Sequence, residues 1–233
     1  MAALDQLPGF RRCFRITPLR GAVRSELEDD FHSMSVTVHH SDGVATCVEA
    51  AMHRAPWTTC PGAVEQVRQT FTGVRLNAFA ERGEKRTNCT HLHDLATLGA
   101  AHALDTDALQ YDILVSDPIE GRREAELRRN GVCVMRWTLE GFKLLAPPEV
   151  AGMTLDKLNP WIAALAPREQ EEARVFRWGT MIANGRTIPI EQQSDATRMP
   201  VGNCYTFQPE RRTRAKRVGE IRDFSRGTAR PLA

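Results

Sequence analysis

Apolar and polar residues alternate over residues 34–38 and again over 44–52, and Ser41-Asp42-Gly43 between the two runs is a hairpin signal, so two antiparallel strands are expected there. A brief extended segment over 14–19 precedes them, limited by Pro18 and Gly21. The period then lengthens. Val64, Val67 and Phe71 recur at helical spacing, with Thr59 or Cys60 as cap, Pro61 in the first turn and Gly73 as stop. A second helix is expected over about 90–103, with Leu92, Leu95, Ala96 and Gly99 on one stripe and Cys89 at its entrance. Extended patterns return at 113–115, 125–127, 132–139 and 142–145, the last three separated by Asn130-Gly131 and Glu140-Gly141. Pro147-Pro148 closes that run. Helical patterns over about 155–165 and 168–183 follow, divided by Pro167 and ended by Asn184-Gly185.

Strands and helices in separated blocks predict an α+β fold, in which antiparallel hairpins pack against helices, rather than a doubly wound parallel sheet. Past Thr187 the periodicity fades and basic residues accumulate from Arg211 to Arg230, just after Tyr205 and Phe207. The expected organisation is one compact domain over 1–186 and an extended basic tail over 187–233 packed on it. At 233 residues the chain can bury a core without disulfide staples. The six cysteines are scattered and read as reduced thiols. No apolar run is long enough to span a membrane, and the first ten residues lack the pattern of a signal peptide, so a cytoplasmic protein with no membrane partner is expected. A formal net charge of +2 excludes a general polyanion binder.

Two groups of residues carry candidate chemistry. Carrying the first hairpin strand backwards by its two-residue period places Asp30, His32, Met34, Val36 and Val38 on one face, which aims an acid/base pair at the core. The acidic stretch over 24–30 would cancel that placement if it formed a turn or a helix. Arg20 and Arg24 beside it could hold a carboxylate or phosphate. Cys60 and Cys89 each stand where a helix begins, and helix amides depress a thiol pKa when the thiol is exposed. With His91 two residues after Cys89, they read either as a nucleophile with its base or as ligands Cys60, Cys89 and His91 for zinc or iron, with His93 or Asp94 as a fourth. The plain alternative is that both cysteines are small buried residues at helix entries. Trp57 could line a pocket for an aromatic or acyl group, or simply fill the core.

Taken together, Pro18-Leu19-Arg20-Gly21, Leu27-Glu28-Asp29-Asp30-Phe31-His32, the segment from Ala55 to Ala63, Cys89-Thr90-His91-Leu92, Cys204-Tyr205-Thr206-Phe207 and Arg222-Asp223-Phe224-Ser225 resemble an uncharacterised bacterial family of unknown function, DUF2889, over nearly the whole chain. The resemblance implies no established active site, and it points by association to the catabolism of aromatic compounds and acyl-coenzyme A thioesters. The order of hairpin, Cys at a helix start and second Cys at another is also similar to iron–sulfur scaffold proteins, without their closing His-Cys pair.

The expected function is an enzyme of small organic acid, aromatic or acyl-thioester catabolism. Asp30, His32, Cys60, Cys89 and His91 are its candidate catalytic residues, and Arg20, Arg24 and Trp57 would bind the substrate, a small molecule such as a coenzyme A thioester. The rival readings are a metal- or iron–sulfur-binding scaffold without turnover, and phosphate or nucleic-acid binding through the tail. Nothing in the body of the domain favours nucleic acid.

Overall fold

The structure, a computed structural model, describes residues 3–189 and 192–233. Eight strands form one sheet: β1 (Gly9–Leu19), β2 (Ala22–Asp29), β3 (Ser33–Ser41), β4 (Val44–Arg54), β5 (Leu109–Ser116), β6 (Arg122–Arg129), β7 (Val132–Glu140) and β8 (Lys143–Ala146). Their order is β4-β3-β2-β1-β5-β6-β7-β8, and every neighbouring pair is antiparallel. The fold is α+β: two four-strand meanders are joined by the β1–β5 pairing. The helices α1 (Ala63–Phe71) and α2 (Thr90–Ala101) lie between the meanders in sequence, and α3 (Asn159–Ala163) and α4 (Pro167–Ala183) follow the second. Among the described residues no helix is long and apolar enough to cross a membrane.

Local chemistry accounts for the hairpins. Asp42 and Gly43 have φ of 52° and 74°, and Asn130 and Gly131 have φ of 49° and 80°, so both two-residue loops carry the positive φ pair that matches strand twist. The acidic stretch is neither turn nor helix. It is β2, in which Val23, Ser25 and Leu27 are buried and alternate with exposed Arg24 and half-buried Glu26 and Glu28. Asp30, Phe31 and His32 therefore belong to a tight connection between β2 and β3, closed by the bond from Asp29 N to His32 O at 2.8 Å. This corrects the expected continuous strand through Asp30 and His32: two-residue alternation cannot be carried across a turn.

One face of the sheet holds the core. Phe10, Phe14 and Ile16 of β1, Leu27 of β2, Val36 and Val38 of β3, and Tyr111 and Ile113 of β5 all lie in the main buried cluster with the helices. Gly99 lets α2 sit against Ser25 of β2, where a Cβ would collide with the Ser25 hydroxyl. On the other half of the sheet Phe176 of α4 stacks on Trp137 of β7, with ring centroids 4.1 Å apart. The same period that buries Phe10, Phe14 and Ile16 carries Arg12 inward, and the period of Val23, Ser25 and Leu27 carries Asp29 inward to face it, since Arg12 and Asp29 are register partners. Charged groups thus enter the helix-covered face at one end of the β1–β2 pair.

Among its described residues the tail has little regular structure beyond a helical turn at Tyr205–Phe207 and the short α5 (Pro209–Arg212). Main-chain bonds nevertheless tie it to the sheet and helices: Tyr205 N to Asn88 O at 2.8 Å, Thr58 N to Lys216 O at 3.0 Å, Val218 N to Pro56 O at 3.0 Å and Arg222 N to Asp30 O at 2.9 Å. Trp57, Cys60, Ala196 and Ala215 form a second, smaller apolar cluster where it docks.

Candidate functional site

At the inward end of β1 and β2 the Asp29 carboxylate is fully buried. Its Oδ1 accepts the amides of Phe31 and His32, each at 2.7 Å, and Nδ1 of His32 at 3.0 Å. Its Oδ2 accepts Nε of Arg12 at 2.8 Å and a second, short bond from Arg12 Nη2. Burial opposes the charge on Asp29, but Arg12 and then His32 outweigh it and hold the carboxyl well below the usual carboxylate range. An ionised carboxylate can only accept, so the shared proton sits on Nδ1 of His32. Among the described residues no hydrogen-bond partner reaches Nε2 of His32, and the residue keeps 8% exposure.

His91, in the first turn of α2, completes the group. Its ring lies 4.1 Å from that of His32, centroid to centroid. Nε2 of His91 is 3.2 Å from Arg12 Nη2. A guanidinium only donates, so Nε2 is the acceptor and the ring proton is on Nδ1, which faces the Cys89 sulfur at 4.0 Å. Burial, then His32 and Arg12, push the His91 pKa well below its ordinary value, so this imidazole is neutral. One carboxylate, two imidazoles and one guanidinium from β1, β2, the following turn and α2 therefore form a single network. Donor atoms of Asp29, His32 and His91 all lie within 4.8 Å of one another, the spacing of a metal ligand set.

Asp30 faces elsewhere. It is fully buried, its Oδ2 accepts Nη1 of Arg186 at 2.6 Å and its Oδ1 accepts Arg11 N at 3.4 Å. Arg186 also binds Asp117 at 2.8 Å and Asp223 at 3.2 Å, so one guanidinium gathers three carboxylates from the turn, the end of β5 and the tail. Burial drives the Asp30 pKa up to about 7 against the pull of Arg186. The partner of His32 is Asp29, one residue before the acid expected from the sequence.

Residues 17–104 match the DUF2889 family model, described as a protein of unknown function. Asp29, His32, Cys60, Cys89 and His91 all lie inside the DUF2889 segment, whereas Arg12 and the tail lie outside it. The match is narrower than the resemblance over nearly the whole chain. No curated protein matches the chain.

Within the DUF2889 segment the two cysteines do not behave as helix-entry thiolates. Cys60 and Cys89 are buried, and burial raises both thiol pKa values, overriding the amides at the helix starts. Thr59 precedes only a short turn, Cys60–Gly62, without a capping side-chain bond, and α1 begins at Ala63. Cys60 accepts a hydrogen bond from Thr206 Oγ1 at 3.3 Å instead of joining His91. Cys89 does sit beside His91, but Cys60 falls outside the one donor set found among the described residues. Of the other suggested ligands, Asp94 pairs with Lys85 at 2.5 Å and His93 is buried against Phe71 at 5.0 Å between ring centroids.

The expected substrate-binding residues are not brought to the network. Arg20 lies in the β1–β2 turn, and Arg24 pairs with Glu26 at 2.9 Å on the opposite face of the sheet from Asp29. At about 3.3 Å per residue, Arg24 is roughly 17 Å along the strand from Asp29. Trp57 is buried in the second apolar cluster, edge-on to Phe207 at 6.3 Å. Conversely, Arg12 and Asp29 lie inward by the period-two patterns of β1 and β2, a signal hidden when the period of residues 34–38 is carried back through the turn, which selects Asp30 instead.

Proposed function

We propose that the protein is an enzyme of general acid/base chemistry in which His32 is the proton-transferring group, Asp29 orients it and Arg12 fixes Asp29. The observation that carries this reading is the bond from His32 Nδ1 to a buried, ionised Asp29, which leaves Nε2 as a basic nitrogen at the edge of the network. That is the arrangement a general base needs: one ring nitrogen fixed by a carboxylate, the other free to take a proton. The neutral His91 beside it and the positive field of Arg12 suit a substrate that develops negative charge as its proton leaves. Small organic acids and acyl thioesters, coenzyme A thioesters among them, are the substrate class proposed. Cys89 contributes as the neighbour of His91 rather than as a thiolate.

Screening such compounds for turnover with the wild type and the His32→Asn variant tests the reading. Turnover that falls by about 10²- to 10⁴-fold in the variant is expected for loss of a positioned base. Turnover indifferent to both His32→Asn and Asp29→Asn would sink it.

The 4.8 Å grouping of Asp29, His32 and His91 favours a second reading, a zinc or iron centre. Against it, Arg12 already stands beside two of the donors and both Asp29 oxygens are engaged. Elemental analysis of anaerobically purified protein separates the two. Stoichiometric metal that vanishes in His91→Ala supports the centre, and metal-free protein with His32-dependent turnover supports the base.

A further inference from the structure

Arg54, the last residue of β4, is 9% exposed, and most of its hydrogen bonds go to main-chain carbonyls. Nη2 donates to Asp29 O at 2.5 Å and to His32 O at 3.2 Å, and Nη1 donates to Asp30 O at 2.7 Å. Three of the four carbonyls in the turn from Asp29 to His32 are thus held by one planar fork. The nearest carboxylate oxygen, Oε1 of Glu28, stands farther off at 3.3 Å. A guanidinium reaches separated acceptors through a rigid planar fork of five N–H donors, whereas a lysine ammonium offers three rotatable donors from a single nitrogen.

The same fork reaches the tail. Nη1 also donates to Glu220 O at 3.4 Å, while Arg222 N donates to Asp30 O at 2.9 Å. The tail approaches the end of β4 closely only because residue 219 is glycine: its φ is 78°, and a Cβ there would stand 2.7 Å from Ala55 O. The turn that carries His32 is therefore clamped from both sides, by Arg54 from the sheet and by residues 218–223 from the tail.

We propose that Arg54 is a positioning residue that couples the seating of the tail strap over residues 218–223 to the Asp29–His32 pair. The inference rests on the acid/base reading of His32. The clamp presents the Phe31 and His32 amides and the His32 ring to the same carboxylate oxygen. When it loosens, the ring is released from Asp29 and its proton redistributes between Nδ1 and Nε2.

Ring-nitrogen NMR of the full chain, at a pH where the imidazoles are neutral, tests this without a substrate. His32 is assigned from the signals that disappear in His32→Gln. Wild-type His32 is expected as the pure Nδ1–H tautomer. Arg54→Lys, which removes the fork, and Gly219→Val, which lifts the strap without touching the turn, are each expected to move the His32 nitrogen shifts toward the tautomer average and leave His102 unchanged. A purely structural role would lower the melting temperature and leave the His32 pattern alone. A pure Nδ1–H pattern in either folded variant overturns the coupling, and Gly219→Val decides alone if Arg54→Lys does not fold. Wild-type His32 protonated at Nε2 would instead overturn the acid/base reading, a distinct failure.

Discussion

At the scale of single residues the decisive fact is that Asp29 accepts bonds on both oxygens while wholly enclosed. A charge in that position is tolerable only because Arg12 and three further hydrogen-bond donors, the amides of Phe31 and His32 and Nδ1 of His32, replace the water it has lost. Removing one partner strands the other. Asp29→Asn is expected to lower unfolding free energy by about 3 kcal/mol, read from urea denaturation, because the Arg12 charge remains buried without its counter-ion. The pH dependence has a definite sign. The folded pKa of Asp29 lies below its unfolded value, so its stabilisation is complete above the unfolded value of about 3.9 and is lost as pH falls further. The wild type should accordingly lose more stability than Asp29→Asn between about pH 5 and pH 3. Equal losses would show that the carboxylate is not held ionised by its partners.

At the scale of elements, the site depends on how closely α2 lies on β2 and β3. His91 and Cys89 enter the network because the first turn of α2 is placed over the inward end of β2, and Gly99 two turns later permits that approach. Gly99→Val should cost about 1–3 kcal/mol, since the added side chain must displace Ser25 or lift the helix. The His32–His91 ring contact should loosen with it, seen as a change in the ring-proton shifts of both histidines. Stability lost with those shifts unmoved would mean that the helix start is anchored independently of its middle.

At the scale of the whole molecule, the C-terminal segment completes the region around the turn that carries His32. Arg222 N binds Asp30 O, Asp223 joins the Arg186 cluster, and Leu232 N binds Oε2 of Glu28 at 2.9 Å. Truncation after Lys216 removes these bonds together while leaving the sheet and its helices in place. Amide hydrogen exchange at Asp29, Phe31 and His32 should then accelerate, with protection retained in the core strands β1 and β5. Uniform loss of protection would indicate that the tail supports global stability rather than this turn.

Much of the architecture was readable from the chain alone. The hairpins at Asp42-Gly43 and Asn130-Gly131, the helices over 63–71 and 90–101 and the α+β layering follow from local periodicity and turn chemistry, which act between residues close in sequence. The candidate residues His32, Cys89 and His91 were also singled out, since each residue type carries its chemistry wherever it lies. Tertiary structure alone decided which acid lies against His32, that Cys60 and Cys89 are buried with raised thiol pKa values, and that Arg12, Arg54 and residues 218–223 belong to the same neighbourhood. Register across β1 and β2, enclosure under α2 and the docking of the tail set those relations, and each is a long-range packing outcome that no local period encodes.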